Sequence, residues 1–201
     1  DISEYFIGTN NFRYLDIEKH LFPYPIDLGF TLDNFDDYYY PLDQDGLPVK
    51  TYKSAGKQYN PTRIAAYSLA HYNRYIQSRD KSDRETFLLG ADWFMSVEGA
   101  RYEYHFDWND LKAPWISCMG QGEAVSVLTR AFHLTQEDTY LKQARASLSP
   151  LEVGIKKGGV QSLIDNEYVF LEEYPSDNPT HVLNGCLYAV IGIMDYLSVK
   201  Q

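Results

Sequence analysis

Apolar positions along the chain fall into three similar stretches. From 61 to about 77, Ile64, Ala65, Leu69, Ala70 and Tyr72 recur in helical phase, behind an N-capping Asn60 and a first-turn Pro61. Ser82-Asp83-Arg84-Glu85 then reads as a capping box, followed by one stripe of Phe87, Leu88, Ala91, Phe94 and Met95. The pattern returns after Met119-Gly120-Gln121-Gly122 with Ala124, Val125, Leu128, Ala131 and Phe132. A turn over 135–138 leads into Tyr140, Leu141, Ala144 and Leu148. A third run opens at His181 with Leu183, Leu187, Val190, Ile191 and Met194. Cys186, Ala189, Ile193 and Leu197 are apolar as well, so this helix is predicted to be buried on most sides.

The leading helix of each unit starts near 61, 120 and 181, a period of about sixty residues. Leading helices are rich in small residues (Ala65, Ala66, Ala70; Gly122, Ala124, Ala131; Gly185, Ala189, Gly192), which allows close approach in an inner layer. The following helices are amphipathic and belong outside. The expected fold class is all-α: an α/α toroid, an incomplete barrel of helical hairpins, with small β-hairpin inserts. The toroid is expected over 55–201, with the third unit lacking its returning helix. Residues 1–54 are expected to be an irregular segment packed on it. Asp36-Asp37-Tyr38-Tyr39-Tyr40-Pro41 and Asp43-Gln44-Asp45-Gly46 carry no helical period and read as loop with a short strand. Tyr102, Tyr104, Phe106 and Trp108 alternate as in a half-buried strand, and 160–172 reads as a hairpin turning at Asp165-Asn166. Both inserts precede an inner helix. In a toroid the beginnings of the inner helices share one face, which places Glu172-Glu173-Tyr174 beside Trp115 and near Asn60.

Composition narrows the function. With 201 residues, 44% of them hydrophobic and 15% aromatic, the chain can bury a core of one domain. Its net charge of −10 argues against nucleic acid and anionic membrane surfaces as partners, and against polyanions unless basic residues gather in one cleft. The 18 tyrosines suit clefts for sugar rings, which have apolar faces and polar edges. The longest apolar stretch, 186–194, is too short to cross a bilayer, so no membrane insertion by this segment is expected. An opening Asp in place of Met points to a processed or cut product. Cys118 and Cys186 lack metal-ligand spacing and are expected to be buried free thiols, with a disulfide left open. There is no zinc-type cluster, phosphate-binding glycine loop or hydrolase nucleophile elbow, so neither a metal nor an organic cofactor is expected.

Ala113-Pro114-Trp115-Ile116-Ser117-Cys118-Met119-Gly120-Gln121-Gly122, with Ser126-Val127-Leu128-Thr129-Arg130-Ala131 behind it, resembles the C-terminal domain of the D-glucuronyl C5-epimerases. So do Glu172-Glu173-Tyr174-Pro175, Val182-Leu183-Asn184-Gly185, Ile191-Gly192 and Tyr59-Asn60-Pro61. The likeness runs over about 55–197. It implies an α/α toroid, a uronate-containing polysaccharide of the heparan sulfate precursor type as substrate, and inversion at C5 by removal and return of a proton. It also implies a homodimer and, for animal members, the Golgi lumen. Tyrosines are the family's proposed acid and base. One lies in the Glu-Glu-Tyr motif, making Tyr174, with Glu173 beside it, the implied catalytic pair. The family's Tyr-Asp-Leu-Arg-His and Asp-Tyr-His stretches do not occur in these 201 residues, which implies a fragment or shortened relative.

Candidates for substrate binding are Trp115 as a sugar platform, Gln121 at a helix start, Arg63 and Arg101 for the uronate carboxylate, His181 at the mouth of the third helix, and Asn184. Each has a plainer reading. Trp115 and Tyr174 also suit core packing, Gln121 and His181 suit capping, the arginines suit solvated surface, and Glu172 and Glu173 suit a solvated turn near a helix N-terminus. Three functions compete: a uronate C5-epimerase, a polysaccharide lyase sharing its first step, and a glycan-binding domain without chemistry.

Overall fold

The computed structural model describes residues 22–199. It is mostly helical, with two small antiparallel hairpins. Two short helices, α1 (Gly29–Asp33) and α2 (Phe35–Tyr38), precede a hairpin of β1 (Val49–Tyr52) and β2 (Gly56–Tyr59). Five longer helices follow: α3 (Pro61–Ser78), α4 (Lys81–Ser96), α5 (Cys118–Thr135), α6 (Asp138–Ser147) and α7 (Leu183–Val199). A second hairpin, β3 (Gln161–Ile164) and β4 (Tyr168–Leu171), lies between α6 and α7.

Local chemistry sets the helix ends. Asn60 accepts the Arg63 amide at 3.1 Å with Pro61 behind it, so α3 starts where expected. Arg79, in the left-handed region, closes it. The capping box at Ser82 is corrected: Asp80 caps α4 by accepting the Ser82 amide at 2.9 Å, two residues earlier. Ser117 caps α5 by accepting the Met119 amide. The leading helices α3, α5 and α7 pack side by side, with α4 against α3 and α6 against α5. Ile64, Leu69, Phe87, Phe94, Val125 and Leu128 form the shared core.

The small residues act as expected at the α5–α7 contact. A Cβ on Gly122 would lie 2.3 Å from the Ala189 Cα, and one on Gly192 would lie 2.1 Å from the Gly122 carbonyl oxygen. Two backbones that close can accept only hydrogen there. The same pair of helices is locked by a buried ion pair. The Arg130 guanidinium, fully buried on α5, donates to both carboxylate oxygens of Asp195 on α7, and the Ser126 hydroxyl donates to the same carboxylate at 2.6 Å. Tyr24 and Tyr72 lie 5.0 and 5.8 Å from that cation.

Four further expectations need correction. The segment before β1 holds two short helices where loop was expected, held locally by Thr31 and from α3 by Asn73. Thr31 donates to the Leu28 carbonyl at 2.6 Å, and Asn73 on α3 accepts the Tyr24 amide at 2.8 Å. The part of that segment before 22 lies outside the described residues. The strand over 102–108 is reduced to single bridges, Tyr104 with Trp115 and Trp108 with Leu111. Its alternation survives in Tyr104 and Phe106, both buried. The third helix starts at Leu183 because His181 has φ 50°, outside the helical region. It is also less enclosed than expected, with Leu183, Leu187, Val190, Met194 and Leu197 exposed. The hairpin at 160–172 forms as expected, with Asp165 and Asn166 both at positive φ. Cys118 and Cys186 are free thiols, Cys118 buried and Cys186 half-buried.

Substituting Gly122→Ala should force α5 and α7 apart. Overpacking of this kind costs about 1–3 kcal/mol, and urea unfolding should show that loss, whereas an unchanged midpoint would mean the helices do not touch there.

Candidate active site

A cleft of about 270 Å³ opens where the start of α3, the start of α5 and the strand-like inserts meet. Its wall is a row of rings. Tyr52 stacks on Phe106 with centroids 3.5 Å apart, and Tyr104 stacks on Trp115 at 4.2 Å. Phe106 meets Trp115 edge-on at 5.9 Å, and Tyr174 lies 6.1 Å from Trp115. Tyr174 and Tyr52 thus sit toward opposite ends of the row. Lys50, Asn60, Thr62, Arg63 and Glu173 add polar groups to the lining.

The position of Tyr174 is set by its neighbour Glu172. That residue is fully buried, contrary to a solvated-turn reading. Its carboxylate accepts the Ser162 hydroxyl from β3 at 2.5 Å and the His181 amide at 3.1 Å. Its backbone donates to the Val160 carbonyl at 2.8 Å and accepts the Cys118 amide at 3.1 Å, at the first turn of α5. One residue therefore ties β3, the His181 turn and α5 together. The chain bends at Glu173 and Tyr174, just beyond the end of β4, and both of these side chains line the cleft.

The electrostatics at this point are unusual. Burial pushes the Glu173 carboxyl pKa up, opposed by the Tyr174 hydroxyl and the Gly185 amide. Burial pushes the Tyr174 phenol up as well, and the Glu173 charge adds to it. Glu173 Oε2 is buried without a protein partner. Behind it Glu123 on α5 is fully buried, also with Oε2 unpartnered. Burial raises the Glu123 pKa far above the usual carboxylate range, and the nearby Glu173 pushes it further. Arg63 is half-buried, and loss of water lowers its pKa. One N–H of its guanidinium reaches the Tyr40 carbonyl at 3.2 Å, and its Nε has no protein partner.

Of the candidates from sequence, Tyr174, Glu173, Trp115 and Arg63 come together in this cleft. Gln121 does not: it is fully buried, accepting the Tyr102 amide at 2.7 Å and donating to the Ala100 and Ser147 carbonyls. Arg101 lies in a second cleft, paired with Glu103 at 3.0 Å. His181 stands edge-on to Phe170 at 5.0 Å, next to Glu172. Asn184 is half-buried in the first turn of α7, outside the cleft lining. Lys50, Tyr52 and Tyr104 were missed. Tyr104 carried a signal in its alternation with Phe106, whereas Lys50 and Tyr52 reach the cleft only through the β1–β2 pairing. Among the described residues no cluster of side chains could hold a metal ion, and no helix is long and apolar enough to cross a membrane.

Residues 94–201 match the family model described as D-glucuronyl C5-epimerase C-terminus, just over half of the chain. The chain belongs to that family. A D-glucuronyl C5-epimerase of Caenorhabditis elegans is 34% identical over 128 residues, covering 60% of this chain and 21% of its own length. The chain thus spans about a fifth of that relative. An uncharacterised protein of Methanocaldococcus jannaschii is 29% identical, covering 96% of this chain and 68% of its own length. In this member of the epimerase family the matched region supplies Trp115, Glu173 and Tyr174, and the part before it supplies Lys50, Tyr52 and Arg63.

Two outcomes follow from the buried carboxyls. Glu172→Ala strands the Ser162 hydroxyl and the His181 amide. Hydrogen bonds to a charged group contribute about 1.5–3 kcal/mol each, so urea unfolding should show a loss of that order, and an unchanged midpoint would contradict the strut. Glu123 behaves differently with pH. The unfolded chain releases its proton near 4.5, whereas the folded chain keeps it, so this group lowers stability as pH rises past that value. Glu123→Gln should therefore gain stability relative to the parent between pH 5 and pH 8, by up to about 1.4 kcal/mol per unit. A pH-independent difference would mean that Glu123 is ionised in the fold.

Proposed function

We propose that this chain carries part of the catalytic unit of a uronate C5-epimerase acting on glucuronate in a glycosaminoglycan-type polysaccharide. In this reading α3, α5 and α7 are inner helices of an α/α toroid whose hollow is the cleft. The observation that carries the proposal is the convergence of Tyr174, Glu173, Trp115 and Arg63 on one aromatic-walled cleft. Although the protein is acidic overall, this cleft gathers Lys50 and Arg63, as a uronate carboxylate requires.

The chemistry follows from those groups. The C5 proton is weakly acidic, and its removal moves charge onto the substrate carboxylate. Arg63 and Lys50 stabilise that developing dianion. A neutral phenol is a poor base, so Tyr174 passes its own proton to Glu173 while its oxygen takes the C5 proton. A carboxylate whose pKa is raised by burial is the better acceptor for that transfer. Tyr52, at the other end of the row, returns a proton to the opposite face, and the cycle closes when Glu173 releases its proton to water and Tyr52 regains one from water. Its phenol is kept protonated by burial and receives a hydrogen bond from Asn60 Nδ2 at 2.9 Å. Trp115 is only 7% exposed and stacked on Tyr104, so it serves as a wall that braces Tyr174 rather than as an open sugar platform.

In deuterated water, Tyr174→Phe should lower C5 exchange about 10²–10⁴-fold, the usual contribution of a positioned acid or base. Tyr52→Phe should keep exchange at C5 of glucuronate but lose the inverted product. Exchange in the parent should fall as pH drops through the raised Glu173 pKa, because the protonated carboxyl cannot accept from Tyr174. Full exchange in Tyr174→Phe overturns the assignment, and an unsaturated product absorbing in the ultraviolet would identify a lyase.

A further inference from the structure

The wall of the cleft has a second face. Along the extended segment after Arg101, Tyr104 and Phe106 line the first cleft, while Glu103 and His105 point the other way. Tyr59 and Asn60 divide in the same manner. Behind the wall lies a second cleft of about 360 Å³, where Tyr59, Trp93, Arg101, Glu103, Glu98 and His105 meet.

We infer that this second cleft is a subsite for a neutral pyranose ring, chemically distinct from the uronate cleft. Two rings set an apolar corner: Tyr59 and Trp93 have centroids 5.7 Å apart and planes at 52°. Tyr59 is fixed there by donating to Asp43 Oδ2 at 2.6 Å, and Trp93 by packing edge-on against Phe94 at 5.0 Å. Rigid, partly exposed aromatics of this kind take the C–H face of a sugar at little entropic cost. The polar side is equally fixed. Arg101 donates to the Gly158 carbonyl at 2.6 Å and to Glu103 at 3.0 Å, which leaves further N–H groups of a planar fork facing the cleft.

Charge decides the class of sugar. Glu103 neutralises Arg101, and Glu98 leaves the rim with a net negative charge. A carboxylate-bearing ring is repelled, whereas hydroxyls find both donors and acceptors. The first cleft has the opposite bias through Lys50 and Arg63. Its connection with the polysaccharide rests on the proposed epimerase reading, but sugar binding here does not.

The test is a titration of the full chain with cellotetraose, a neutral oligosaccharide, followed by the indole N–H signals of its three tryptophans in nitrogen–proton spectra. The Trp93 signal should move and the Trp115 signal should not. Tyr59→Ala should weaken this binding about tenfold, the loss of one stacking contact. His105→Ala, at an exposed position, should weaken it several-fold without the packing change at Trp93. Tetragalacturonate, a uronate oligomer, should move Trp115 rather than Trp93. The inference is overturned by a still Trp93 signal, by unchanged affinity in both variants, or by tighter binding of tetragalacturonate than of cellotetraose at Trp93. A lack of C5 exchange would count against the epimerase reading and leave this result untouched.

Discussion

The candidate site depends on the buried carboxylate of Glu172. A carboxyl group buried away from water is tolerated only if its oxygens are hydrogen-bonded, and here the bonds come from β3 and from the His181 turn. Those bonds hold a strand and a turn at fixed spacing, while the Glu172 backbone carbonyl holds the first residue of α5. The chain bends immediately beyond Glu172, and Glu173 and Tyr174 both turn into the cleft. Cys118, against the same segment, contributes packing rather than reactivity: burial raises its thiol pKa, and its Sγ lies 3.2 Å from the Leu171 carbonyl.

The second constraint is how closely the leading helices approach. Gly122 and Gly192 let α5 and α7 touch, and the Arg130–Asp195 pair fixes their register. This scaffold brings Glu123 up beneath Glu173. Two carboxyls in one dry region cannot both ionise readily. The deeper one keeps its proton, and the one at the cleft, touched by Tyr174 and the Gly185 amide, is the one that can give it up.

The helices were legible because their apolar periods and caps are local properties of the sequence. Small residues on the leading helices foretold the α5–α7 contact for the same reason. The α4 start was read two residues late because both Asp80 and Ser82 are competent caps, and only the backbone chooses between them. The short helices before β1 were invisible: they have five and four residues, and contacts with distant residues hold their segment in place. Tyr174, Trp115 and Arg63 could be nominated from sequence, but not their convergence. Gln121 has the residue type of a ligand-binding group, and only the fold places it among buried carbonyls. Glu172 was the converse, a residue type common in solvated turns that the hairpin encloses.

A structure of the chain bound to a glucuronate-containing tetrasaccharide tests the central claim most directly. The account predicts a uronate ring in the cleft, its carboxylate toward Arg63 and its C5 within hydrogen-bond reach of the Tyr174 oxygen. A ring bound elsewhere on the surface, or one in the cleft with C5 turned away from Tyr174, would contradict it.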